Sequence, residues 1–99
     1  MVRNTLEMKI ENVDKEVAEA FGIKVTDIRK RNRRREFSDA RQMAWMLLSD
    51  NGYSIMELSR AYRRNHSAVC KGIRRIKGLV EVHRKIDALY REIKEKLCC

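Results

Sequence analysis

An amide, an imidazole and a hydroxyl stand in a row at Asn65, His66 and Ser67, with Lys71, Arg74 and Arg75 close behind them. The first three offer short-range donors and acceptors, the last three fixed positive charge. A second cationic group, RKRNRRRE at residues 29–36, is the densest charge in the chain. Side chains of these types hydrogen-bond to flat polar edges and pair with anions. They do not by themselves make or break bonds. Ser, His and Asp residues occur, yet none falls in a nucleophile elbow or a metal-binding helix motif. Cys70, Cys98 and Cys99 form no C-x-x-C pair, and His66 and His83 complete no zinc spacing. No catalytic residue, metal or cofactor is expected.

The element that must present the first group is residues 54–76, SIMELSRAYRRNHSAVCKGIRRI. Ser54 followed by Glu57 predicts a capping box, with Tyr53 and Leu58 placed to close a hydrophobic staple around it. A short helix then turns Leu58, Ala61 and Tyr62 inward. A break is expected at Arg63 and Arg64, and Asn65 is a good N-cap for a second helix. On that helix Val69, Ile73 and Ile76 fall on one apolar face. At about 100° per residue, Ser67, Lys71, Arg74 and Gly78 lie opposite it. A short helix, a tight turn and a helix with a small, basic outer face outline a helix-turn-helix. The cationic run at residues 29–36 admits three readings: a solvated loop, a generic basic tail, or an arm that enters a DNA groove. Arginine is less strongly hydrated than lysine and is attracted to narrow minor grooves, so beside a helix-turn-helix the arm is preferred.

The remaining elements are helical too, giving an all-α fold, a small bundle of about six helices. Residues 1–9 read as a lead-in and 10–97 as one domain. Ile10, Val13, Val17, Ala18 and Phe21 mark a first helix that Gly22 ends in a left-handed cap. Thr26 is expected to cap a short second helix running to about Lys30, with Val25 and Ile28 inward. Ser38 is expected to cap a third, with Ala40, Met43, Ala44, Leu47 and Leu48 buried and Asn51-Gly52 at its end. Trp45 reads as partial core rather than a base-stacking platform. Met43 and Met46 read as gap-filling core and surface residues. Cys70 is placed near the core side of its helix. Leu79, Val82, Ile86, Leu89 and Ile93 predict a last helix lying on the domain, with Gly78 marking the bend before it.

The 99 residues carry a formal net charge of +9, with 43% hydrophobic and 37% charged residues, so the chain can fold and presents a cationic surface to a polyanion. No apolar run approaches the roughly 18 residues that span a bilayer, and no signal-peptide pattern is visible. A cytoplasmic, nucleoid-associated protein is expected.

From about residue 10 to 93 the sequence resembles the C-terminal, origin-binding domain of the bacterial replication initiator DnaA. The matching stretches are ENVDKEVAEAFGIKVTDIRKR, ARQMAWMLL, SIMELSRAY and NHSAVCKGIRRI, in the family's order. The resemblance implies a Trp-repressor-like bundle whose recognition helix enters the major groove of double-stranded DNA while an arginine of the basic loop reaches an adjacent minor groove. Arg33 aligns with that arginine and Arg35 is a second candidate. Asn65, His66 and Ser67 stand where the family has an Asp-His-Thr-type start, and Ala68 occupies the next position. Lys71, Arg74 and Arg75 are added from helix geometry. Arg31, Arg34, Arg41 and Ser54 complete the set of candidate DNA contacts. The resemblance also points to a monomer, with a dimer through the last helix as the alternative.

Three departures accompany the resemblance. An amide replaces the usual acid at Asn65; an amide both donates and accepts and pairs well with adenine, whereas an acid only accepts. The turn is shorter and has Tyr62-Arg63-Arg64 where the family has glycines. No G-x-x-x-x-G-K-[ST] occurs in these residues, so no nucleotide is expected to bind this chain. A DNA-targeting module of a transposase or regulator, and an RNA or protein adaptor, are the competing classes.

Overall fold

The computed structural model describes residues 9–30 and 34–98. Among them are six helices and no strands: α1 (Ile10–Phe21), α2 (Val25–Arg29), α3 (Arg35–Asp50), α4 (Ile55–Tyr62), α5 (His66–Val82) and α6 (Arg84–Cys98). α3 is the central rod, touching α1, α2 and α5. Its Ala40, Met43, Ala44, Leu47 and Leu48 are buried as the sequence predicts. Met46 and Trp45 are buried as well, each 3% exposed, so Trp45 is full core rather than its edge. From Met43 to Leu48 every residue is buried, which sets that part of α3 in the middle of the bundle.

The ends of the elements follow local chemistry. Gly22 adopts the left-handed conformation at φ 69°, and the N–H of Ile23 donates to Ala18 O at 2.9 Å, closing α1. α4 begins with the expected reciprocal box. The Glu57 N–H donates to Ser54 Oγ at 3.1 Å, and the Ser54 N–H donates to Glu57 Oε1 at 2.9 Å.

Other ends depart from expectation. α2 is capped at Lys24, not Thr26, because the Lys24 N–H donates to Asp27 Oδ2 at 3.2 Å and so opens the helix early. That short helix rests on Ile28 alone and leaves Val25 43% exposed. α3 begins at Arg35, with Ser38 already inside it. Its first turn can hold Arg35 and Glu36 because both are exposed, so the charges need no burial. α5 runs through Gly78, which sits in open space, and ends at His83. The bend falls there because His83 leaves helical geometry and its Nδ1 accepts from the Ile86 N–H at 3.4 Å, starting α6. α6 buries Ile86 and Ile93 against α1 and α5, while Val82, expected on that stripe, is 80% exposed at the corner.

Candidate nucleic-acid interface

The turn between α4 and α5 is made without glycine. Arg63 is left-handed at φ 53°, the one non-glycine residue with positive φ among those described. A conformation of that kind costs an L-residue roughly 1–2 kcal/mol. Neighbouring bonds hold it. The Arg64 N–H donates to Ser59 O at 3.0 Å, the Ser59 hydroxyl donates to Arg64 O, and the Arg64 guanidinium reaches Tyr62 O at 3.2 Å.

α5 then starts from Asn65, whose Oδ1 accepts from the Ala68 N–H at 2.7 Å. The amide N–H groups of Asn65 and the second lone pair of Oδ1 remain for a ligand in this geometry. His66 and Ser67 are exposed in a first turn that contains no acidic residue. The partial positive charge of the helix N-terminus therefore faces outward with them. Lys71 and Arg74 are exposed on the same outer side, Ala68 is half-buried, and Val69, Ile73 and Ile76 are buried beneath. Cys70 is exposed, not turned toward the core.

The inner side of α5 is fixed to α3 at close range. A Cβ built on Gly72 would lie 2.7 Å from Trp45 Cζ3 and 2.9 Å from Cε3, so only glycine allows this approach. One turn on, Arg75 donates to Asp39 Oδ1 at 2.6 Å and to Gln42 Oε1 at 2.7 Å. In this structure Arg75 is thus engaged with α3, while its side chain stays 42% exposed.

Arg41 is turned inward, toward the end of α2. It is 7% exposed, and its Nε donates to Ile28 O at 2.7 Å while Nη2 donates to Lys30 O. Burial, with Arg64 nearby, pulls its pKa below the ordinary arginine value. The guanidinium caps the end of α2 and anchors the root of the basic loop. Arg64 joins it there, donating from Nη2 to Lys30 O at 3.1 Å. Arg34 and Arg35 stand exposed where the loop enters α3. Arg31 and Arg33 lie outside the described residues. Ser54 is exposed, with its oxygen engaged in the α4 cap.

A buried polar cluster not anticipated from the sequence stands behind the turn. Asp14 of α1 is 1% exposed, and the Tyr62 hydroxyl donates to its Oδ1. Arg29 donates from Nε and Nη2 to Oδ2, each at 3.3 Å, and from Nη1 to Ala61 O at 3.1 Å. The same guanidinium lies 4.9 Å from the centroid of the Tyr62 ring, a cation–π contact. Burial pushes the Asp14 carboxyl above 3.8, against the lowering influence of Tyr62 and Arg29. Burial and the Asp14 charge push the Tyr62 phenol up. The available signal was Asp14 itself, an acid among Ile10, Val13, Val17 and Ala18.

No helix among the described residues is long and apolar enough to cross a membrane. The model of one protein family, described as the bacterial dnaA protein helix-turn-helix, matches residues 10–76, from the start of α1 well into α5.

Proposed function

The chain belongs to the bacterial DnaA helix-turn-helix family and binds DNA through that motif, and we propose that it reads duplex sequence with two coupled contacts. The N-terminus of α5 enters the major groove, and the basic loop between α2 and α3 enters the adjacent minor groove. The supporting observation is the capped start of α5, where His66 and Ser67 are exposed above outward-facing Lys71 and Arg74. His66 and Ser67 meet base edges. Asn65 acts chiefly as a donor, because its oxygen already holds the Ala68 N–H while both amide hydrogens are open, and so favours acceptor edges such as purine N7 and guanine O6. Two-point pairing with adenine would draw on the second lone pair of that oxygen. Ala68 offers a methyl surface beside them.

Lys71 and Arg74 supply attraction that does not depend on sequence, as phosphates shed their condensed counterions. Arg33, flanked by Arg31, Arg34 and Arg35, takes the minor groove, where narrow sequences concentrate negative potential. Ser54 can donate its hydroxyl proton to a phosphate at the start of α4. The reading needs no catalytic step, no nucleotide and no second subunit, and it places the chain in the cytoplasm on the nucleoid.

Selection from a random duplex library, followed by salt titration on the winner, tests this function. A defined consensus is expected, with log K falling by about 0.9 per phosphate neutralised for each tenfold rise in salt. No enrichment, with single strands or RNA held as tightly, would replace it with a sequence-blind adaptor. Arg33→Ala is expected to weaken binding most on narrow-groove sites, and a uniform loss would leave the loop only a nonspecific anchor.

A further inference from the structure

Asp14 lies on α1, far in sequence from the candidate contacts, yet it is where the two contacting parts meet. Through the Tyr62 hydroxyl it holds the last residue of α4, directly before the left-handed Arg63. Through Arg29 it holds the end of α2, directly before the basic loop. Arg29 also crosses to Ala61 O, and Arg64 of the turn crosses back to Lys30 O. The loop root and the helix-turn-helix turn are therefore joined by side-chain bridges, and Asp14 is their buried anionic centre.

We infer that Asp14 is a positioning residue for DNA reading, whose carboxylate fixes the separation between the loop contact and the recognition-helix contact. This rests on the two-contact reading proposed above. The groups facing the carboxylate are Tyr62 from α4, Arg29 from α2 and Glu11 from its own helix. Glu11 opposes ionisation while Arg29 favours it. A buried acid whose ionisation burial disfavours is not where a fold would place charge for stability alone. Without the carboxylate, Arg29, 44% exposed, keeps only its bond to Ala61 O and its contact with the Tyr62 ring, and the loop root is held less firmly in register with the turn.

The test uses the full chain, the selected duplex and a second duplex with one base pair inserted between the two footprints. That insertion advances and rotates one contact relative to the other. Wild type is expected to bind the inserted duplex about tenfold or more weakly, the worth of one base contact. Asp14→Asn is expected to bring the two duplexes within about threefold, with affinity for random DNA and melting temperature near wild type. Arg29→Gln and Tyr62→Phe remove the partners singly and give the same readout should Asp14→Asn fail to fold. Tyr62→Phe keeps the ring that meets Trp45 edge-on at 5.9 Å. If wild type discriminates and the folded variants discriminate equally, Asp14 has no positioning role. If wild type itself tolerates the insertion, the two-contact reading falls and this inference with it.

Discussion

Replacing Gly72 with alanine sets two opposing effects against each other at the joint between α3 and α5. In an exposed helix interior the change gains about 0.8–1.0 kcal/mol of helix propensity. Here the new methyl would stand 2.7 and 2.9 Å from two ring carbons of Trp45, and 3.0 Å from Gln42 Cγ. The Gln42 carbon belongs to a flexible chain and can move aside. The indole cannot, being 3% exposed and edge-on to the Tyr62 ring. The recognition helix must therefore retreat from α3 by about 1 Å to move the 2.7 Å contact out to an ordinary one near 3.5–4.0 Å. Overpacking of this kind costs about 1–3 kcal/mol, which outweighs the propensity gain and leaves a net loss of about 0–2 kcal/mol. For a domain of this size each kcal/mol lowers Tm by roughly 4–8 °C. The same retreat also breaks the 2.6 Å Arg75–Asp39 contact, so specific DNA affinity should fall more than nonspecific affinity. Chemical denaturation beside binding to selected and random duplexes measures both. A variant as stable as wild type, with specificity intact, would refute the close joint.

Three further outcomes follow from the same geometry. Asn65→Asp keeps an oxygen for the Ala68 N–H and adds charge at a helix N-terminus, so stability should hold or rise by up to about 1 kcal/mol. Its selected consensus should move toward donor edges such as cytosine N4; an unchanged consensus would remove Asn65 from the reading set. Arg74→Ala should lower the salt slope by about 0.9, whereas Arg75→Ala should leave it unchanged and cost up to about 1 kcal/mol of stability, since its pair with Asp39 is partly solvated. Equal slopes for the two variants would mean Arg75 leaves α3 on DNA. Asp14 contributes through its raised pKa: the contribution is fully present below 3.8 and is lost as pH rises through the higher folded value. Wild type should therefore gain stability relative to Asp14→Asn as pH falls from neutrality toward about 4, and a gap that does not vary with pH would contradict the burial.

Sequence periodicity and capping chemistry identified the parts governed by local interactions. The Ser54–Glu57 box, the Asn65 cap, the Gly22 ending and the buried face of α5 all depend on residues within a turn or two of each other. What was not legible depends on contacts distant in the chain. Nothing in the type of Arg41 or Arg75 distinguishes a guanidinium facing solvent from one clamped to a carbonyl or to Asp39. Gly78 looks like a hinge by propensity, but Leu79 and Val80 pack against the core and carry the helix past it to His83. Ser38 looks like a cap, yet α3 starts earlier because Arg35 and Glu36 can remain in water. Hydrophobicity alone would turn Cys70 and Val82 inward, and only the packing of α5 and α6 decides that both face outward. The Asp14 cluster joins three helices, so one carboxylate on an apolar stripe was its only trace in the sequence.

Trp45 is the only tryptophan in the chain, and its indole N–H is buried without a hydrogen-bond partner among the described residues. An indole so enclosed emits toward the blue, and its light is sensitive to the dipoles and quenching groups around it. This fluorophore lies against the backbone of α5 at Gly72, opposite the face proposed above to meet the duplex. The protein therefore carries an unlabelled optical gauge of whether that helix shifts in its seat when DNA arrives.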